Sequence, residues 1–170
     1  DDPLLTARPG GRAAERQPLR VVVDSRGRTL PMARVLTGPA RTLIATLERA
    51  PEHWRAALRA TGAEVLSFPE DGEHVDLGAL LRELAERDVL SLLVEGGGVI
   101  LGAFFDRGLV DKVHAVIAPM IIGADDAPAA VAGRGAYRMA DALRLRDITV
   151  ERLGEDLLVT GYPQYPETKE

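Results

Sequence analysis

Apolar runs with the composition of buried strands alternate with helix-like segments along this chain. The strand-like runs are at 19–24, 42–45, 63–68, 89–94 and 113–118. The segments with helical character are at 51–61, 77–84 and 99–107. Strands that alternate with helices form mostly parallel sheets whose faces the helices cover, so this pattern predicts an α/β fold.

Local signals mark the ends of several elements. Asp76 stands directly before a leucine-rich helical segment and is suited to cap it. Near the end of the chain, runs at 148–151 and 157–160 flank a turn that contains Gly154, which predicts an antiparallel hairpin. Residues 123–137, rich in glycine and alanine, predict a long loop. We therefore expect one domain over the whole chain, a mostly parallel sheet flanked by helices with a C-terminal antiparallel hairpin.

Composition excludes several classes of function. The net charge of −5 gives no basic surface, so neither nucleic acid nor an acidic membrane is expected as a partner. The chain has no cysteine and its three histidines are scattered, so no metal site is expected. No apolar run approaches the ~20 residues of a membrane span, and we expect a cytoplasmic location. The chain begins at Asp1 without a methionine, which we interpret as part of a longer polypeptide.

The most informative stretch for function is a glycine-rich sequence between a predicted strand and a predicted helix. It reads Val-Glu-Gly-Gly-Gly-Val-Ile-Leu-Gly-Ala and spans residues 94–103. Glycines at such a place let the backbone approach a ligand closely, and free N–H groups at a helix start attract phosphate. The spacing differs from the dinucleotide-binding pattern G-x-G-x-x-G. A tight turn that binds nothing explains the same residues, and this stretch alone leaves both interpretations open.

Polar residues at three places are candidate ligand contacts. Glu95 follows a predicted strand, which would bring its carboxylate to the crevice where α/β folds bind ligands. Ser25 with its neighbouring arginines, and Arg8 after the Asp-Asp-Pro turn, are suited to hold a phosphate. Position alone is equally consistent with Glu95 as a solvent-exposed acid that binds no ligand. For Ser25 and Arg8, position alone favours a surface role over a ligand contact. Asp125-Asp126 is interpreted as part of a solvated loop and not as a pair of metal ligands.

Together, these segments resemble the reductase domain of the RibD family. The matching motifs are Asp-Asp-Pro-Leu-Leu-Thr-Ala-Arg at 1–8, Pro-Leu-Arg-Val-Val-Val-Asp-Ser-Arg at 18–26, Val-Glu-Gly-Gly-Gly at 94–98, Ile-Ala-Pro at 117–119 with Ile-Gly at 122–123, and Gly-Glu-Asp-Leu-Leu-Val-Thr at 154–160. They follow the family's order at about its spacing. The resemblance implies a dihydrofolate-reductase-like fold, NADPH as cofactor and a homodimer. It also implies that the ribosyl group of 5-amino-6-(5-phosphoribosylamino)uracil is reduced to a ribityl group in riboflavin biosynthesis.

The resemblance further implies roles for individual residues. Those that match cofactor contacts are Asp1, Ser25 and the phosphate cradle Gly97, Gly98, Val99, Ile100, Leu101, Gly102 and Ala103. Those that match substrate contacts are Leu5, Arg8 and Glu95, with Arg8 as the partner of the substrate phosphate. The hydride is expected to reach C1′ of the ring-opened ribosylamine, and no residue is assigned as the proton donor.

Two parts of the family's usual polypeptide are absent from this sequence. The zinc site of the N-terminal deaminase domain needs cysteine, so only the reductase half is expected here, with fusion to a deaminase in the longer polypeptide. A strand and a helix that precede the Asp-Asp-Pro turn in the family are also missing. Two alternatives remain open: a reductase of the same fold that acts on the diaminopyrimidinone analogue or a folate-like compound, and a nucleotide-binding module without turnover.

Overall fold

The computed structural model describes residues 2–166 of the chain. These residues form two compact units, and the boundary lies between Leu90 and Ser91. That the whole chain is a single domain stays a prediction. None of the helices within the described range is long and apolar enough to cross a membrane.

The first unit is built on a parallel sheet of three strands. They are β1 (Arg20–Val23), β2 (Thr42–Leu47) and β3 (Glu64–Phe68), in the order β1-β2-β3. The central strand β2 is buried along its whole length, as expected for a strand with a neighbour on each side and its faces covered. These strands confirm the predictions made from the runs at 19–24, 42–45 and 63–68.

Two helices complete the first unit. Helix α1 (Glu52–Arg59) follows β2 and buries Trp54 and Leu58, which belong to one apolar cluster with Ile44 of β2 and Val65 of β3. A short antiparallel pair, β4 (Glu70–Asp71) and β5 (His74–Val75), leads into helix α2 (Leu77–Glu86). The predicted cap is confirmed, because Asp76 Oδ1 accepts a hydrogen bond from Ala79 N at 3.0 Å.

The second unit consists of helix α3 (Gly98–Asp106) and an antiparallel sheet. The strands β6 (Val113–Ile117), β7 (Arg144–Leu153) and β8 (Asp156–Gln164) lie in the order β6-β8-β7. The turn between β7 and β8 contains Gly154 at φ 68°, a left-handed conformation that favours glycine. The predicted hairpin is confirmed, and the antiparallel part is larger than predicted because β6 also pairs with β8.

The strand predicted at 89–94 is wrong. No helix or strand includes residues 89–97, and Leu90 and Leu93 are 96% and 72% exposed. Within the described residues, the backbone groups of 90–96 form no hydrogen bond. A strand is stable only where a neighbouring strand pairs with it, and an apolar composition does not supply that neighbour.

Candidate cofactor and substrate sites

The residues that match substrate contacts near the chain start lie in an irregular stretch, which we call the N-terminal segment (residues 2–8). Polar contacts hold it in place. The Asp2 carboxylate accepts a hydrogen bond from Arg34 N at 2.8 Å, and Ala7 N donates to Gln17 Oε1 at 2.9 Å. The segment is therefore ordered without belonging to a helix or strand. Asp1, matched to a cofactor contact, lies outside the described residues.

Leu5 and Arg8 are held in different ways within the N-terminal segment. Leu5 is half-buried and has φ 48°, a left-handed conformation that costs a leucine about 1–2 kcal/mol. Arg8 is exposed, and within residues 2–166 its guanidinium makes no hydrogen bond or ion pair. Arg8 is thus a cation whose hydrogen-bonding capacity is available to an anionic ligand.

Arg20, at the start of β1, donates a hydrogen bond to the N-terminal segment. Its side chain is 2% exposed and has carbonyl groups as its partners, donating to Thr37 O at 2.8 Å, to Leu4 O at 3.4 Å and to Ala40 O. Burial lowers the pKa of Arg20 from its ordinary value, because a low-dielectric environment disfavours the charged form. Sequence reasoning did not single out Arg20, since nothing local distinguishes it from the other arginines of the chain.

The turn after β1 is organised by Asp24, which is 7% exposed. Its Oδ2 accepts hydrogen bonds from Arg28 N, Thr29 N and Thr29 Oγ1 at 2.7–2.8 Å, and its Oδ1 accepts from Arg26 N at 3.2 Å. An open depression of about 360 Å³ lies beside it, lined by Val22, Val23, Asp24, Arg28 and Thr29. The sequence analysis did not predict this role of Asp24. An aspartate is nevertheless a known turn signal, because its carboxylate can accept hydrogen bonds from backbone amides a few residues further on.

Ser25 also has a structural partner. Its Oγ accepts a hydrogen bond from Val75 N at 2.9 Å, which ties the turn after β1 to strand β5. A hydroxyl group can donate one hydrogen bond while it accepts others. The Ser25 O–H therefore remains able to donate to a ligand, and its role as a cofactor contact stays a prediction.

The start of helix α3 offers unpaired backbone donors. Gly97 precedes the helix and provides no side-chain cap, while Ile100 N and Leu101 N bond back to Gly97 O. Among residues 2–166, neither Gly98 N nor Val99 N has a hydrogen-bond partner. Unpaired N–H groups at the positive end of a helix dipole are suited to bind an anion. A Cβ added at Gly97 would meet nothing within 4 Å, so this end of the helix is open.

Two other glycines of the predicted cradle have a packing role. The loop of residues 129–135 packs against α3, and Ala132 N donates to Gly98 O at 2.9 Å. A Cβ at Gly98 would lie 2.4 Å from Ala129 O, and one at Gly102 only 1.9 Å from Ala132 O. At the end of the helix, Asp106 Oδ2 accepts from Arg134 N at 2.8 Å. This packing accounts for both glycines without a ligand, so their part in a phosphate cradle stays a prediction.

We expect Gly102→Val to destabilise the second unit by about 1–3 kcal/mol, because the added side chain collides with the backbone of the 129–135 loop. Thermal unfolding checks this, with Gly97→Val as the matched control, since the same change there enters open space. Equal melting temperatures for Gly102→Val and the wild type would show that the loop does not pack on the helix as described.

The remaining predicted residues lie on both sides of Gly97. Glu95 is exposed and has no partner within the described range. Because the strand expected before it is absent, the reason for placing its carboxylate in a crevice does not hold, and its substrate role stays a prediction. Further along α3, Val99 is exposed, while Ile100, Leu101 and Ala103 are half-buried. No group of three or more potential metal ligands occurs among residues 2–166.

The sites thus fall into two groups. Leu5, Arg8 and Ser25 belong to the first unit, and Glu95 with the 97–103 cradle belongs to the second. The structure supplies an available cation in the first group and a pair of unpaired amides in the second. Cationic side chains and the amides at helix N-termini both bind phosphate in proteins.

The fold is that of the pyrimidine reductases. A solved protein of Thermotoga maritima, described as a diaminohydroxyphosphoribosylaminopyrimidine deaminase/5-amino-6-(5-phosphoribosylamino)uracil reductase, matches with a TM-score of 0.68 at 26% identity. The match covers 96% of this chain and 42% of that one. It confirms the predicted α/β reductase fold.

The family itself follows from the sequence comparison. The model of the RibD C-terminal domain matches residues 1–159, and the chain belongs to this family of reductases. The 2,5-diamino-6-ribosylamino-4(3H)-pyrimidinone 5′-phosphate reductase of Methanothermobacter thermautotrophicus is 42% identical, over 94% of this chain and 72% of the relative. The riboflavin biosynthesis protein RibD of Bacillus amyloliquefaciens is 33% identical, over 96% of this chain but only 43% of its own length. The chain therefore spans less than half of that RibD protein, and the family resemblance stated from the motifs is confirmed.

Proposed function

We propose that this chain reduces the ribosyl group of 5-amino-6-(5-phosphoribosylamino)uracil to a ribityl group, with NADPH as the hydride donor. The observation that carries the proposal is the family match over residues 1–159. The Thermotoga neighbour, which has this uracil reductase in its description, supports the choice of substrate. A reductase of this family implies a nicotinamide cofactor, and NADPH is the form that we propose.

The residues at the start of α3 fit the phosphates of such a cofactor. Within the part of the chain that the structure describes, Gly98 N and Val99 N have no hydrogen-bond partner, and a Cβ at Gly97 would enter open space beside them. These amides would donate to phosphate oxygens. Separately, we propose Ser25 as a cofactor contact, because its hydroxyl can still donate a hydrogen bond while it accepts from Val75 N. When bound, NADPH supplies the hydride for C1′ of the ring-opened ribosylamine. The contribution of the protein is to bind and orient the reactants, since the redox chemistry belongs to the cofactor.

The substrate contacts in this proposal are Leu5, Arg8 and Glu95. The available guanidinium of Arg8 suits a phosphate, for which arginine offers a planar set of donors. The Glu95 carboxylate is an acceptor, which suits the amino and hydroxyl groups of the pyrimidine and the sugar. Leu5 would pack against the apolar parts of the same molecule.

A second candidate substrate is the diaminopyrimidinone analogue. The Methanothermobacter relative, which is 42% identical, is named as a reductase of that compound. Steady-state oxidation of NADPH, measured with each pyrimidine in turn, separates the two. A higher kcat/KM with the uracil supports the first candidate, and a higher value with the diaminopyrimidinone supports the second. Tight NADPH binding without turnover of either would instead favour a nucleotide-binding module.

We expect Glu95→Gln to lower kcat/KM for the pyrimidine by about tenfold or more, because a charged hydrogen bond contributes about 1.5–3 kcal/mol. NADPH affinity and the fold should be unchanged, since Glu95 has no partner among the described residues. Glu155→Gln, a change at another exposed glutamate, is the control. Wild-type kinetics in Glu95→Gln would remove Glu95 from the site.

The longer polypeptide and the assembly are part of the same proposal. The Thermotoga neighbour is described as a deaminase as well as a reductase, and the match covers 42% of it. We propose that this chain is likewise joined to a deaminase, functions as a homodimer and is located in the cytoplasm. Light scattering of the purified protein would test the dimer, and a monomer at micromolar concentration would contradict it.

A further inference from the structure

One side chain, Gln17, fastens the N-terminal segment through both backbone groups of Ala7. Gln17 Oε1 accepts from Ala7 N at 2.9 Å, and Gln17 Nε2 donates to Ala7 O at 3.2 Å. The same Nε2 donates to Ala14 O at 2.7 Å, and Ala14 N donates to Ala7 O at 2.9 Å. The side-chain amide of Gln17 thus takes the place that a neighbouring strand would occupy beside Ala7.

The position of this contact matters because Ala7 directly precedes Arg8. Asp2 and Leu4 are held further back, by Arg34 N and by the buried Arg20. Those contacts fix the beginning of the segment, whereas the Gln17 contact fixes the residue from which Arg8 extends. Without it, Ala7 would keep only the hydrogen bond from Ala14 N, and Arg8 only that from Gly11 N to its carbonyl oxygen. The backbone before Arg8 would then sample more conformations, and substrate binding would have to order it.

Gln17 itself is half-buried and does not belong to the apolar core of the first unit. Each polar atom of its side chain is used in the contacts with Ala7 and Ala14. Arg8, in contrast, is exposed, and its side chain makes no hydrogen bond or ion pair within residues 2–166. The arrangement is a fixed backbone that presents an available cation.

We propose that Gln17 is a positioning residue for the substrate phosphate: by holding Ala7 it sets the place from which the Arg8 guanidinium reaches the ligand. This inference rests on the proposed function, because the role of Arg8 as the phosphate partner belongs to that proposal. In this proposal Gln17 acts on the substrate only through Arg8, because the polar atoms of its side chain are used in the contacts with Ala7 and Ala14. Its effect passes through Arg8 and disappears when Arg8 is removed.

Gln17→Met tests this, because methionine has nearly the same length and forms none of the hydrogen bonds to Ala7 and Ala14. The KM for the phosphorylated pyrimidine should rise about tenfold, since a misplacement of roughly 1 Å can cost up to about a hundredfold. The Kd for NADPH and kcat should stay within about twofold of wild type. Gln164→Met, the same change at the exposed end of β8, should alter none of these values.

A double-mutant cycle with Arg8→Ala separates positioning from general destabilisation. In the Arg8→Ala background, Gln17→Met should change KM by less than about twofold, because the guanidinium that Gln17 positions is gone and the two effects are coupled. An equal rise in KM with and without Arg8 would contradict the proposal. If Gln17→Met does not fold, Gln17→Asn keeps the amide donor and acceptor on a side chain one methylene shorter, and should raise KM with the same dependence on Arg8.

Calorimetric binding of ribose 5-phosphate repeats the cycle without turnover. A loss of affinity in Gln17→Met that depends on Arg8 supports the positioning role even if neither pyrimidine is reduced, in which case only the proposed reaction fails. If Gln17→Met binds ribose 5-phosphate as tightly as wild type, or if wild type does not bind it, the positioning role is wrong. Neither of these two binding results depends on the outcome of the reductase assay.

Discussion

Replacing Arg8 by alanine is expected to raise the KM for the phosphorylated pyrimidine ten- to hundredfold. A charge-assisted hydrogen bond contributes about 1.5–3 kcal/mol, and every 1.4 kcal/mol corresponds to about tenfold in affinity. The Arg8 guanidinium makes no hydrogen bond or ion pair within residues 2–166, so its removal costs the described fold neither. The melting temperature and the Kd for NADPH should therefore stay at their wild-type values. Steady-state kinetics and NADPH titration measure both quantities.

Two controls make the Arg8 result specific to the phosphate. Arg12→Ala removes the same charge from an exposed position four residues further on, and should have little effect. The dephosphorylated pyrimidine should be a poor substrate for the wild type and no poorer for Arg8→Ala. If Arg8→Ala reduces activity towards both pyrimidines by the same factor, Arg8 does not bind the phosphate.

Gly97→Val is expected to weaken NADPH binding by about a hundredfold or more while the protein remains folded. The branched side chain would occupy the open space beside Gly98 N and Val99 N, and two charge-assisted hydrogen bonds at about 1.5–3 kcal/mol each would be lost. Gly97 has φ −69° and ψ 172°, which valine adopts without strain. The fold should tolerate the change, because an added Cβ meets no atom within 4 Å.

Isothermal titration of NADPH into folded Gly97→Val measures this effect. Gly97→Ala, with a smaller side chain at the same place, should show a smaller loss. A folded Gly97→Val protein that binds NADPH like the wild type would mean that the phosphates do not lie at the start of α3. The cradle would then be a structural turn, the interpretation that the glycine-rich sequence left open.

Elements whose signals are local could be predicted from the sequence. Asp76 caps α2 as expected, because the capping contact joins residues only three apart. The hairpin of β7 and β8 follows from a glycine turn between two strand-like runs, which is also a local signal. The resemblance of the motifs also predicted the family and the reductase fold, and the comparisons confirm both.

Features that depend on distant partners could not be predicted in this way. The run at 89–94 has the composition of a strand, but strand formation needs a partner, and none pairs with it among residues 2–166. The close approach of the 129–135 loop to Gly98 and Gly102 joins residues about thirty positions apart, so the glycines alone do not reveal it. The Gln17 contact with Ala7 spans ten residues through an irregular segment, which no periodicity marks.

The central claim is that this chain transfers a hydride from NADPH to the sugar carbon of a phosphorylated ribosylaminopyrimidine. The most direct test uses NADPH carrying deuterium at the transferable position of the nicotinamide and mass spectrometry of the pyrimidine product. We expect the ribityl product to carry one deuterium, with NADPH consumed in equal amount. Bound NADPH that is not oxidised in the presence of either pyrimidine, or a reduced product without the label, would contradict the claim.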